Sequence, residues 1–195
     1  MIRIGTRISP DWIDRPNDLS FLKQIGVDCA DITLDICEGF VESGGRANRE
    51  GLEKVAEAID KAGLKVERAN CLSRFMKAIY LGEADSDREI DNLVHNVELC
   101  GEMDFPVVGV QCFGAAQFLP MQRETHSWIE GRGGYTHLRV NLDRALDRPA
   151  PEGAPTHDEL WERTIKIYKA VIPAAESAGV KIAMHGNDPP VDTLF

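Results

Sequence analysis

The sequence contains no apolar run near the roughly 20 residues that a membrane-spanning helix needs. Its opening, MIRIGTRISPDWIDRP, lacks the apolar region of a signal peptide. Membrane attachment therefore finds no support in the sequence. Basic charge is scarce as well: 22 lysines and arginines stand against 32 acidic residues, a net charge of −10. Neutralising phosphates needs a basic face, so nucleic acid is not an expected partner. No C-x-x-C pair occurs among the cysteines, Cys29, Cys37, Cys71, Cys100 and Cys112. An odd, scattered set reads as reduced thiols in a cytoplasm. Cys29, Cys71 and Cys100 read as small buried hydrophobes, whereas Cys112 ends a strand and is a candidate for a site. Also missing are G-x-G-x-x-G and G-x-x-x-x-G-K-[ST], so no phosphate loop follows the first strand.

What is present is the balance of a soluble globular protein. The 195 residues are 43% hydrophobic and 28% charged, enough for a sizeable core in one domain. Strand and helix patterns alternate. Strands are expected at Arg3–Ser9, Val27–Leu34, Leu64–Cys71, Val107–Cys112 and Val180–His185. A short helix closes at Gly26, and Leu52, Val55, Ala56, Ile59 and Ala62 form one apolar stripe before Gly63. Ser86-x-x-Glu89 reads as a capping box ahead of the stripe Ile90, Leu93, Val94, Val97 and Cys100. Thr156-x-x-Glu159 reads as a second, ahead of Trp161, Ile165, Tyr168, Ile172 and Ala175, with a kink expected at Pro173. The phrases IGVDCADI, AGLKVERA and AGVKIAMH each join a helix end, a glycine and a strand.

Strands separated by helices pair in parallel. The missing phosphate fingerprint favours a (β/α)8 barrel over a doubly wound sheet. A full barrel takes eight strands and about 250 residues. Five strands are read here, so residues 1–195 are expected to be a single partial TIM-barrel domain with about five β/α units. The connection at about 113–155 is far longer than a common βα loop. It is expected to cover the barrel mouth, and the segment Gly131–Tyr135 within it reads as flexible.

Barrel chemistry collects at the C-terminal ends of the strands. Here those ends carry Arg7 and Ser9, Thr33 and Asp35, Asn70, Ser73 and Arg74, Gln111 and Cys112, then His185, Asn187 and Asp188. His95, His126, His137 and His157 read as solvated or hydrogen-bonded. His185 directly follows a buried strand and precedes a rigid Pro-Pro. Its position alone leaves it between a metal or catalytic role and an ordinary surface histidine.

The segment LWERTIKIYKAVIPAAESAGVKIAMHGNDPP, Leu160–Pro190, resembles the mannonate dehydratase family. There a helix ending AIIPVAEEAGV leads into a strand ending HPDDPP. CGEMDFPVVGVQC, Cys100–Cys112, is similar to the preceding helix and strand. The family has a (β/α)8 barrel, related to the xylose-isomerase-like barrels, and dehydrates D-mannonate to 2-keto-3-deoxygluconate with a divalent metal, usually manganese. The resemblance implies that His185 is a metal ligand, for Mn2+ or another divalent ion such as Mg2+, and that the partner is a small sugar acid. Asn70, Gln111 and Asp188 are candidate substrate-binding residues from their strand-end positions; the general acid and base are not assigned. Gly186 and Asn187 replace the family's proline and aspartate, and VQCFGA is only loosely similar to its CYNFMP. A related sugar isomerase or epimerase is therefore an alternative, as is an inert barrel fragment that self-associates. The remaining family ligands are expected beyond Phe195. Five parallel strands leave open edges, so a homo-oligomer is expected.

Overall fold

The computed structural model describes residues 2–111, 126–143 and 152–186. Five parallel strands form one sheet in the order β1 (Gly5–Arg7), β2 (Cys29–Thr33), β3 (Lys65–Cys71), β4 (Val107–Gln111) and β7 (Lys181–His185). Helices α1 (Pro16–Gln24), α2 (Arg49–Lys61), α4 (Ser86–Glu102) and α5 (His157–Ala178) alternate with them, and the short α3 (Lys77–Leu81) precedes α4. This is the expected TIM-barrel-type arrangement with about five β/α units. The strands are shorter than their apolar runs. β1 keeps only Gly5–Arg7, and β2 ends at Thr33 because Leu34–Ile36 turn into a short 3-10 helix.

Side chains of a strand alternate between faces. One face carries Ala30, Ile32, Ala69, Cys71, Val108 and Val110, all essentially inaccessible to solvent. These pack against Leu52, Val55 and Ile59 of α2, Leu93 and Val97 of α4, and Ile167 and Val171 of α5. Fully burying such a side chain contributes about 1.5–3 kcal/mol. Burial pushes the Cys71 thiol up to about 12, and the Cys100 thiol is raised for the same reason. With Cys29 and Cys37 also buried and free, these cysteines act as core residues. Cys112 lies outside the described residues.

Two helix readings change. Tyr168 and Ala175 of the expected α5 stripe reach the core, but its other members are out of phase. Ile167, Val171, Ala174 and Ala175 are buried, while Trp161, Ile165 and Ile172 are exposed. The helix is apolar on two sides, and its contact with α4 sets the rotation. A Cβ on Gly101 would lie 2.6 Å from that of Ala178, so the two helices meet closely there. Arg163 reaches the Tyr80 carbonyl at 2.5 Å and Lys166 pairs with Asp87 at 2.6 Å, on the side facing α3 and α4. α5 runs through Pro173 to Gly179, whose φ of 70° suits a left-handed cap. Its Thr156–Glu159 capping box is formed as expected, with the Thr156 amide donating to the Glu159 carboxylate at 2.7 Å.

The expected box at Ser86–Glu89 is not formed. Asp85 takes the cap position without a side-chain capping bond, its carboxylate pairing with Arg88 instead. Glu89 is instead buried, and its carboxylate accepts the Ile79 amide at 3.0 Å at the start of α3. Inward rotation lets it satisfy an otherwise orphaned amide of the neighbouring helix.

Burial raises the Glu89 carboxyl above its ordinary range, with the Ile79 and Ala78 amides opposing the shift. A raised native value means the folded state holds the proton more tightly. The stability linked to it is present below the ordinary carboxylate range and lost as pH rises through the native value. Thermal unfolding should therefore show Glu89→Gln gaining on the wild type as pH increases across that window. Glu89→Ala, which leaves buried amides unpaired, should cost about 1–3 kcal/mol at neutral pH.

Candidate functional site

The sheet face turned away from the helices is polar. Arg7 pairs in register with Asp31, and Asp31 with Arg68. The Asp31 carboxylate accepts from Arg7 at 3.1 Å and from Arg68 at 2.5 Å, and also from the Asn70 amide. Its side chain is only 18% exposed. The same Asn70 nitrogen donates to the Ile32 carbonyl at 2.8 Å. Both Asn70 hydrogens are thus committed inside the protein, and Asn70 is 2% exposed. A cavity of about 300 Å³ opens beside this group, lined by Gly5, Arg7, Cys29, Asp31, Glu67 and Arg68 among others.

The loop exits above this face are tied together. Asp35 pairs with Arg74 at 2.5 Å, while one Asp35 oxygen is buried without a hydrogen-bond partner. Phe40 meets Phe75 edge-on with ring centroids 4.9 Å apart. Behind them, α4 holds the loop before α2. Asn96 accepts the Ala47 amide and donates to the Gly45 carbonyl, both at 2.8 Å. His95, expected to be solvated, belongs to this set. One ring nitrogen meets the Ala47 carbonyl and the other an Arg46 N–H, each at 2.9 Å. The carbonyl can only accept, so Nε2 carries the proton and Nδ1 accepts from Arg46. Asn92, His95 and Asn96 lie within one helical turn, which extends the α4 stripe with polar residues.

Gln111 and His185 are register partners at the C-terminal ends of β4 and β7. His185 is exposed, and its Nδ1 meets the Gly186 carbonyl. That contact places a proton on Nδ1; in a neutral ring the lone pair is then on Nε2, the atom through which such an imidazole binds a metal. Asp188 and Asn187 lie outside the described residues. Among the described residues no group of three or more His, Cys, Asp or Glu side chains could hold a metal ion. One imidazole does not complete such a site, so these residues do not by themselves hold Mn2+ or Mg2+.

The segment Gly131–Tyr135, read as flexible, is the turn of an antiparallel hairpin between β5 (His126–Glu130) and β6 (Thr136–Val140). The Gly131 amide donates to the Tyr135 carbonyl at 2.7 Å, and Gly133 and Gly134 supply positive φ values. Trp128 and Tyr135 are exposed on it. Among the described residues no helix is long and apolar enough to cross a membrane.

The chain is 23% identical to mannonate dehydratase from Streptococcus equi subsp. zooepidemicus over 168 residues, 72% of this chain and 44% of that protein. The crystal structure of mannonate dehydratase from Streptococcus suis serotype 2 matches 99% of this chain and 54% of its own, with a TM-score of 0.69 and 21% identity. The resemblance is to mannonate dehydratase. A candidate xylose isomerase from Rhodospirillum rubrum matches 100% of this chain and 57% of its own, with a TM-score of 0.58 and 14% identity. No family model matches the chain. The fold shared with mannonate dehydratase and its neighbours is the xylose-isomerase-like barrel, of which this chain has five parallel strands. The chain spans about half the length of the mannonate dehydratases it matches.

Gly109 keeps the polar face in order, because a Cβ there would lie 2.1 Å from the Asn70 carbonyl oxygen. Gly109→Ala should push Asn70 off Asp31 and lower stability by about 1–3 kcal/mol, the usual range for overpacking. Chemical denaturation of the two proteins measures this difference, and equal stability would refute the role given to Gly109.

Proposed function

We propose that this chain contributes to a metal-dependent sugar-acid dehydratase, resembling mannonate dehydratase, that converts D-mannonate to 2-keto-3-deoxygluconate and water. The observation that carries the reading is His185. It stands at the C-terminal end of the fifth parallel strand, in register with Gln111, with Nδ1 turned to a carbonyl. In this reading His185 is one ligand of a Mn2+ or Mg2+ ion, with the other ligands outside the described residues. A metal so held would polarise the oxygens of the sugar acid. The reaction itself must take a proton from C2 and expel the C3 hydroxyl, which calls for a base and an acid. Gln111 and Asp188 remain proposed substrate contacts. Asn70 supports the site through Asp31, since its two hydrogens are already engaged.

The fold shared with a candidate xylose isomerase favours a second reading, a sugar isomerase or epimerase using the same mouth. Self-association belongs to either reading. Trp161, Ile165, Ile172 and Met184 expose apolar surface on α5 and β7, and surface of this kind promotes association.

The deciding measurement is turnover of D-mannonate with added Mn2+, following the 2-keto-3-deoxy acid. A panel of sugar acids and ketoses separates the two readings. His185→Ala should abolish turnover and lower Mn2+ affinity by at least tenfold in equilibrium dialysis. Manganese affinity unchanged by His185→Ala would sink the metal assignment.

A further inference from the structure

Two arginines line the cavity on the polar sheet face. Two guanidiniums, Arg7 and Arg68, share the single carboxylate of Asp31. Glu67, also on the wall, is already paired with Arg3 at 2.5 Å. Within the cavity wall one guanidinium thus has no carboxylate of its own; the next acid, Asp28, lies beside Cys29 and accepts the Ile4 amide. Asp31 takes the Nε and Nη2 edge of each guanidinium. A guanidinium carries five N–H donors in one plane, so the Nη1 edge of each is not used by Asp31. The two arginine side chains are 50% and 37% exposed, against 18% for Asp31. Their outer edges thus reach solvent while the carboxylate that anchors them does not.

The placement of Arg7 matters as much as its charge. In an eight-stranded barrel of shear eight, level positions climb by about one residue per strand relative to the hydrogen-bond register. Arg7 is in register with Asp31, Arg68, Val107 and Lys181 in turn. The climb across these strands brings its level on β7 from Lys181 up to His185. Arg7 and His185 are both the last residues of their strands.

The geometry points to an oxyanion subsite in this cavity, in which Arg7 and Arg68 grip the carboxylate of a small sugar acid and Asp31 positions both arginines. Planar guanidinium forks match the two oxygens of a carboxylate, and about 300 Å³ accommodates a small polar ligand. The identity of the carboxylate rests on the sugar-acid reading above; the affinity for an oxyanion does not. A phosphate group offers the same chemistry, so the probes must separate the two.

The test is isothermal titration calorimetry of the full chain at low ionic strength with D-mannonate, D-mannitol and inorganic phosphate. D-mannonate should bind at least tenfold more tightly than D-mannitol, which lacks the carboxylate. Arg7→Gln and Arg68→Gln should each weaken D-mannonate binding at least tenfold, while Arg49→Gln, on the helical surface, should leave it unchanged. Circular dichroism checks that each variant is folded. If Arg68→Gln fails to fold, Arg7→Lys serves instead, since it keeps the charge but loses the fork, and it too should weaken binding. Equal affinity for D-mannitol, unchanged affinity in the folded arginine variants, or no binding of D-mannonate overturns the proposal. Phosphate binding without D-mannonate binding would give the cavity to a phosphate and likewise overturn the carboxylate assignment. Arginine-dependent binding without turnover keeps the subsite and removes the dehydratase reading. Turnover with arginine-independent affinity does the reverse.

Discussion

The polar half of this molecule is organised around one carboxylate. Asp31 collects donors from Arg7 on β1 and from Arg68 and Asn70 on β3. Burying a charge is costly unless it is paired and hydrogen-bonded, and here three neighbours meet that condition. The arrangement also explains Gly109. Asn70 can lie flat toward Asp31 only because β4 presents no side chain at the position in register with it. One ionised group thus fixes the side chains of two strands and the residue type tolerated on a third.

A second polar set secures the rim. Asn92, His95 and Asn96 of α4 bind the backbone at Gly44, Gly45 and Ala47. Phe40 from the loop after β2 then packs on Phe75 from the loop after β3. The rim between these strands is therefore held by side chains of α4 bound to the loop backbone, together with the packing of Phe40 on Phe75. Glu89 performs the same service for α3. Rigid support of this kind is what a site at a barrel mouth requires.

Much of this was legible in the sequence. The alternation of strands with glycine-terminated helices gave the parallel sheet, and the resemblance around Leu160–Pro190 agrees with the matches to mannonate dehydratases. The phase of α5 was not legible, because Trp161, Ile165 and Ile172 form a stripe as convincing as Ile167, Val171 and Ala174. Only the close contact of Gly101 with Ala178 decides between them. Ser86-x-x-Glu89 matched a local motif, but Glu89 found a better use across a helix boundary. Asp31 and Arg68 lie inside their strands, whereas barrel chemistry is expected at strand ends. Their signal was present in the period-two polarity of ADIT and ERAN, which marks a strand face turned away from the apolar layer. His95 lay off the apolar stripe and was read as solvated, yet a buried face can be lined with amides and imidazole as well as methyl groups.

β7 is joined to its neighbour by the longest connection in the sheet, the chain between Gln111 and Lys181. Closing a longer loop costs more entropy before any strand contact rewards it. β1 through β4 can assemble through shorter crossovers, whereas β7 must wait for α5 to settle against α4. Among the described residues β7 is the last strand in the sheet order, and none of its side chains is fully buried. The strand that carries His185 therefore bears the largest loop-closure cost of the described sheet, and its docking depends most on a helix that packs elsewhere first.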